Sequence, residues 1–231
     1  MNNIGKNKRV DLILQEIKET DSVLNLGCTG YDYIETNLCI HDLLCKKAKR
    51  VVGVDLCPPD KATEYDIVIG NVESLDLDEK FDVIVAGEII EHLSNPGTFL
   101  EGTKNCLKQN STLLLTTPNP WDWTRFLRAV LGRPSTPIKD HVSWYDTETI
   151  TNLAECHGFK LEQVEHLPRV PYGNTSQQFI ERLVCIISQV LYILGFKKIS
   201  SMGVFYKLRL EKKSITYEKI QNKKECDFLV K

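Results

Sequence analysis

Glu88, Glu91 and His92 crowd one stretch of this 231-residue chain, in the order Glu-x-x-Glu-His after the apolar run Phe81-Asp82-Val83-Ile84-Val85-Ala86. In a helical turn Glu88 and Glu91 share a face and His92 lies beside Glu88. Two carboxylates and an imidazole suit a hard or borderline divalent ion such as Mg2+ or Mn2+. A second imidazole, His141 in Asp140-His141-Val142-Ser143-Trp144, adds a fourth candidate ligand. The same groups also describe chemistry without an ion, with Glu91, His92 or His141 as a general base. A buried Glu-His pair that only hydrogen-bonds is the bland alternative. No Ser-His-Asp pattern appears, and no covalent nucleophile is indicated.

A second cluster binds rather than reacts. Ser22-Val23-Leu24-Asn25-Leu26 breaks into the turn Gly27-Cys28-Thr29-Gly30, and Val51-Val52-Gly53-Val54-Asp55 follows about 25 residues later. Two parallel strands ending on a glycine turn and a carboxylate suit a nucleoside-bearing cofactor: glycine lets the backbone approach, and Asp55 accepts from ribose hydroxyls. A dinucleotide site wants a third glycine opening the helix that seats a pyrophosphate. Here Tyr31-Asp32 follows Gly30, and Asp32 would set a negative charge where the pyrophosphate belongs. A cofactor with an amino acid in place of the pyrophosphate suits this turn better.

These groups need elements to position them. Apolar spacing predicts a helix over 7–19, a strand at 22–26, a helix through Leu38, Ile40, Leu43 and Leu44, and strands at 51–55, 66–69 and 81–86. A helix over 95–108 with Pro96 in its first turn and a strand over 111–116, stopped by Pro118 and Pro120, come next. A helix at 146–157 closed by Gly158, a strand at 159–165 and a last strand at 203–210 complete the set. The alternation means an α/β fold: a doubly wound, mostly parallel seven-strand sheet with an antiparallel last strand and helices on both faces. It reads as one domain over 1–210, with insertions at about 118–145 and 168–200 and a basic tail over 211–231. The aromatics Trp121, Trp123, Phe126, Trp144 and Tyr145 of the first insertion are expected to form the small core of a lid.

Lys plus Arg is 29 against 31 for Asp plus Glu, which argues against a nucleic-acid partner. From Lys197 to Lys231 ten basic residues face four acidic ones, a solvated tail or a contact for an anionic surface. Eight cysteines without CxxC spacing, behind an N-terminus that reads as no leader, suggest reduced thiols in a cytoplasm. Cys28 and Cys57 fall near the cofactor turn, where a small buried filler is the expected role. The run 179–196, followed by Lys197-Lys198, is apolar but short for a membrane span. It reads as a core or homodimer helix, with peripheral membrane contact through 179–198 as the other reading.

Taken together, NLGCTG (25–30), VVGVD (51–55), GNVESLDL (70–77), FDVIVAGEIIEHLSNP (81–96) and LLLTTPNP (113–120) resemble a class I S-adenosylmethionine-dependent methyltransferase over about residues 8–165 plus the last strand. The resemblance implies that Asn25, Gly27, Cys28 and Gly30 face the methionine moiety and that Asp55 holds the ribose. Asn71 and Val72 would flank the adenine, with Gly87 and Glu88 nearby. Asn25 stands where the family has Asp or Glu, Thr29 where a second glycine is common, and Asn71 where Asp is usual. Lys108-Gln109-Asn110-Ser111 replaces the glycine-bearing turn before the fifth strand. Each replacement keeps hydrogen-bonding capacity.

The Glu-x-x-Glu-His pattern resembles two metal-using branches, the ubiquinone-pathway O-methyltransferases and the small-RNA 2′-O-methyltransferases. The form AGEIIEHLSNPGTFLE…LLLTTPNPW also resembles methyltransferases linked with envelope polysaccharide or lipid precursors. The resemblance therefore implies O-methylation of a small-molecule, glycan or lipid-linked acceptor. A metal-dependent RNA ribose methyltransferase, a non-catalytic methyltransferase-like scaffold and a nicotinamide-dependent oxidoreductase are the alternatives.

Overall fold

The expected sheet is present in a computed structural model of the chain, which describes residues 8–29, 39–59, 64–134, 140–170 and 178–211. The calls on Gly30, on Asp32 and on the tail beyond 211 lie outside the described residues. The strands are β1 (Ser22–Leu26), β2 (Arg50–Asp55), β3 (Asp66–Ile69), β4 (Phe81–Gly87), β5 (Leu107–Pro118), β6 (Phe159–Pro168) and β7 (Ser201–Leu210). They form one seven-stranded sheet in the order β3-β2-β1-β4-β5-β7-β6. Pairing is parallel from β3 through β5, and β7 runs antiparallel between β5 and β6.

Period-two alternation within buried strands divides the core into two layers. Leu24, Leu26, Val52, Val54, Ile84, Leu113 and Leu115 face one way, where helices α3 (Pro96–Cys106) and α5 (Thr147–Cys156) add Phe99, Leu100 and Ile150. Val23, Val51, Val83, Val85 and Leu114 face the other way, against Val10 and Ile13 of α1 (Lys8–Gln15) and Ile40 and Leu44 of α2 (Ile40–Lys47). Pro96 occupies the first turn of α3, where its missing N–H is not needed.

Several boundaries differ from the expectation, and one helix is new. Strand β5 runs on through Pro118, β6 runs to Pro168, and β7 begins at Ser201. Helix α1 stops at Gln15 rather than 19, and Ile17 is buried by a turn that donates its N–H to the Leu14 carbonyl at 3.2 Å. Strand β5 begins at Leu107, four residues early. Its register against β4 shifts between Phe81 and Val83, and Asn110 at φ 63° absorbs the irregularity. A helix with no sequence-level expectation, α4 (Trp123–Val130), occupies the first insertion, its start capped by the Asp122 carboxylate accepting from Thr124 N–H.

The aromatics of that insertion do not form the lid core expected of them. Trp121 donates its indole N–H to Asp146 and Trp123 donates to Ser188, while Tyr145 joins the sheet core and Phe126 is 74% exposed. Each indole follows its polar N–H to a different neighbour instead of packing against its own kind. The apolar run of the second insertion forms α6 (Gln178–Ile193), followed by the short α7 (Lys197–Ser200).

Asn119 ties these insertions to the sheet. Its buried side-chain amide donates to the carbonyls of Lys198 and Ser201 and to the Ser201 hydroxyl, and its carbonyl accepts from Trp121 N–H at 3.1 Å. Accepting from the N–H two residues on makes this an Asx turn. Asn119→Ala should cost about 2–3 kcal/mol, because two buried carbonyls lose their donor. Urea denaturation checks this, and a loss under half a kilocalorie would mean that solvent replaces the amide.

Candidate functional site

Parallel pairing aligns the strand ends that the site needs. Leu26 of β1 pairs with Val54 of β2 and with Ala86 of β4, so Gly27, Asp55 and Gly87 follow at one edge of the sheet. That edge, beyond the carboxyl ends of the strands at the point where the strand order reverses, is where α/β sheets bind ligands. Gly27 has φ 69°, donates its N–H to the Val54 carbonyl at 2.8 Å, and lies so close to Ile89 that a Cβ there would meet its Cδ1 at 2.6 Å. The Asp55 carboxylate accepts from Thr29 N–H at 2.8 Å and from Cys57 N–H at 3.1 Å. A carboxylate with two such donors keeps lone pairs for a diol. The open glycine turn beside an oriented carboxylate fits a ribose-bearing cofactor.

Four expected cofactor residues have their side chains engaged elsewhere. Asn25 is buried between Gly53 and Val85, its amide 3.2 Å from His41 Nδ1. Val72 packs in the core, and the Asn71 side chain accepts from Glu73 N–H to cap the short helical turn Val72–Ser74. Cys28 is buried against the open α-carbon of Gly53, and desolvation pushes its thiol up to about 12, which leaves it unreactive as a nucleophile. His41 was not singled out by the sequence. It supports the turn from α2, and only its position one helix away could have signalled it.

Beyond Gly87 the chain turns sharply. Glu88 takes φ 54° and donates its N–H to the Thr116 carbonyl, and a 3-10 turn, Ile90–His92, follows. The helical turn expected to pair Glu88 with Glu91 is absent as a result. Glu88 faces Arg9 at 3.7 Å, while Glu91, His92 and His141 bring one ligand atom each within 4.8 Å of one another. The carbonyl of Glu91 accepts from Val142 N–H at 2.9 Å and Ser143 N–H at 3.2 Å, and this fixes the His141 segment. The Glu91 carboxyl is 1% exposed; Oε2 accepts from the Thr117 hydroxyl at 3.0 Å, and Oε1 has no hydrogen-bond partner. His92 places Nδ1 3.2 Å from Asp140 and Nε2 3.9 Å from Glu91 Oε1. The His92 and His141 rings meet edge-on at 4.6 Å, and His141 Nδ1 is a second buried atom without a partner.

Burial, then the nearby Glu88 charge, pushes the Glu91 carboxyl up to about 8. Burial and the His92 ring hold His141 below its ordinary value. Sequence reasoning missed Thr117 and also Arg125, whose guanidinium lies 4.2 Å over the Trp144 ring and whose Nε–H donates to the Asn119 carbonyl. Trp144 in turn meets His141 edge-on at 5.5 Å. Thr117 was legible only as part of LLLTTPNP. Arg125 carried no signal, because its partner lies 19 residues away in a different segment.

A carboxyl with so high a value stays protonated in the folded chain while the unfolded chain ionises near 4.5. The metal-free protein should therefore lose stability as pH rises from 4.5 to about 8, and Glu91→Gln should remove that part of the slope. Urea melts across this range in chelator check it; equal slopes would mean that the Glu91 carboxyl is ionised throughout.

Known proteins resemble this chain over part of its length. A family model described as a methyltransferase domain matches residues 6–164. A ubiquinone biosynthesis O-methyltransferase of Bradyrhizobium diazoefficiens is 30% identical over 125 residues, 48% of this chain and 49% of that protein. Its namesake in Rhodopseudomonas palustris strain HaA2 is 36% identical over 108 residues, 41% of this chain and 42% of that protein. The chain spans about half the length of these curated relatives. A SAM-dependent methyltransferase structure from Archaeoglobus fulgidus superposes with a TM-score of 0.58 at 17% identity, covering 87% of this chain and 91% of that one, which shows a shared fold.

Proposed function

This chain belongs to the methyltransferase domain family, and we propose that it moves a methyl group from S-adenosylmethionine to a hydroxyl of a small-molecule, glycan or lipid-linked acceptor. One observation carries the proposal: a glycine turn and an oriented carboxylate share a sheet edge with a buried acid and two imidazoles. The turn and the trio touch through Ile89, which sits against Gly27 and two residues before Glu91. The relatives named ubiquinone biosynthesis O-methyltransferase support a hydroxyl acceptor.

When bound, S-adenosylmethionine supplies an electrophilic methyl carbon and leaves as a thioether, keeping the carbon–sulfur bonding pair. The chain's own residues then position and deprotonate. Asp55 would hold the ribose diol with the lone pairs that Thr29 and Cys57 leave over, and Gly27 keeps the turn open. Glu91 Oε1 and His141 Nδ1 are buried and unpartnered, which leaves each to bond a group the chain does not supply. The His92 imidazole, or Glu91 in its ionised form, removes the hydroxyl proton as the acceptor oxygen attacks. Asp140 orients His92 through Nδ1, leaving Nε2 toward Glu91.

The same two unpartnered atoms also favour a divalent ion. Glu91, His92 and His141 would hold it, and one carboxylate with two imidazoles suits a borderline ion such as Mn2+ or Zn2+ better than Mg2+. The Asp140 contact to His92 is the kind of outer support such ligands use. An ion there would lower the pKa of a bound hydroxyl and orient it.

Calorimetric titration with S-adenosylhomocysteine tests the donor site. Binding is expected, and Asp55→Ala should weaken it by about 1.5–3 kcal/mol through loss of a charged acceptor. Absent binding would move the reading to a non-catalytic scaffold. His92→Ala should keep that binding and lower turnover by about 100-fold or more, as for loss of a general base. Titrating Mn2+ or Zn2+ into chelator-treated protein separates the two routes: heat that disappears in Glu91→Gln supports the ion, and no heat leaves the side chains as the base.

A further inference from the structure

Helices α4 and α6 are inverted. A surface helix ordinarily turns its apolar stripe to the core. Helix α4 buries no residue, and Phe126 and Val130 on its outer side are 74% and 66% exposed. On α6, Ile186, Val190 and Ile193 recur at helical spacing and are exposed, Ile193 by 83%. The two helices are neighbours: Trp123 at the start of α4 donates its indole N–H to Ser188 of α6 at 2.9 Å. Arg169 joins them from below, pairing with Asp122 ahead of α4 and accepting through its carbonyl from the Cys185 thiol of α6. The result is one apolar face built from both insertions, of the kind that marks an interaction surface.

The charge around it identifies the occupant. Helix α6 carries one carboxylate, Glu181 in its first turn, and none occurs in 123–134 or in 182–200, whereas Arg128, Arg133, Arg182, Lys197 and Lys198 do. Lys197 lies 5.6 Å over the Tyr192 ring and Lys198 lies 5.3 Å over Trp121, so aromatic stems carry the cations at the border of the apolar face. A second copy of the chain would bring cations against cations. Among the described residues no helix is long and apolar enough to cross a membrane. Aliphatic side chains with cations in excess around them complement a surface that is apolar inside and anionic outside.

We propose that the α4–α6 face docks on the surface of an anionic lipid bilayer, inserting Phe126, Val130, Ile186 and Ile193 and pairing its Lys and Arg residues with lipid phosphates. It is an interfacial contact, not a span. The inner side of α4 meanwhile carries Arg125 over Trp144, next to His141, so docking sets the wall of the candidate site against the lipid. The inference stands apart from the methyl-transfer reading, since lipid binding is measured without donor or acceptor.

Co-sedimentation of the full chain with vesicles tests it, using phosphatidylcholine alone and phosphatidylcholine mixed with phosphatidylglycerol. The parent should sediment with the anionic vesicles and far less with the neutral ones. Val130→Glu combined with Ile193→Glu, both at exposed positions, should lower that partitioning by about tenfold or more while leaving the near-ultraviolet circular dichroism unchanged. Lys197→Ser with Lys198→Ser should reduce the preference for anionic lipid and its sensitivity to salt. Three results overturn the proposal. One is no binding to anionic vesicles, and another is undiminished binding by the glutamate pair, which would assign it to another part of the chain. The third is a dimer in light scattering that the glutamate pair dissociates, which would give the face to a second copy.

Discussion

The end of β4 is the point on which the rest depends. β4 is held by parallel partners on both sides, Leu26 to Ala86 on one and Gly87 to Thr116 on the other, so its end is pinned by two ladders. From there Glu88 at φ 54° reverses the chain, Ile89 closes on Gly27, and Glu91 is driven beneath Thr117. A carboxyl in that position is costly to ionise. Its backbone carbonyl also holds the segment that carries His141. Glycine turn, buried acid and both imidazoles therefore share one rigid support, as the proposed transfer to a positioned hydroxyl would need.

The two insertions use the same support differently. Asn119, at the exit of β5, spends its whole amide on the backbone around Lys198, Ser201 and Trp121, and this fixes where α4 starts and where α7 ends. Between those anchors the chain builds a pair of helices with little core to face. Their inner side reaches the site through Arg125 and Trp144, and their outer side is aliphatic and cationic. One architectural device thus borders both the chemistry and the proposed lipid contact. The Asx turn that anchors it is a short-range feature with a long-range consequence.

Much of the sheet was legible before any coordinates. Runs such as Phe81–Gly87 and Leu113–Leu115 are buried on both faces, and continuous aliphatic character follows from that requirement alone. The glycine turn at Gly27 and the carboxylate at Asp55 were legible for the same kind of reason, since each ends a buried strand at the sheet edge where α/β folds bind ligands. The Glu-x-x-Glu-His segment was legible in composition but not in conformation. A helical turn would have joined Glu88 to Glu91; the left-handed residue at Glu88 sends the first toward Arg9 and the second into the core. Asn25 likewise meets Nδ1 of a buried imidazole, His41, whose approach no local spacing encodes.

The sequence by itself determined the alternation of strands and helices, the glycine turn with its carboxylate, and the family to which the chain belongs. Those features rest on periodicity and backbone sterics, which act over a few residues. Tertiary structure decided which acid joins the imidazoles, that Thr117 and Asp140 orient them, and that Arg125 stacks on Trp144. It also decided that the apolar faces of α4 and α6 point outward together, with Ser188 bonded to Trp123. Such pairings join residues separated by tens of positions. Their energies arise from burial and charge at contact distance, which only the folded chain supplies.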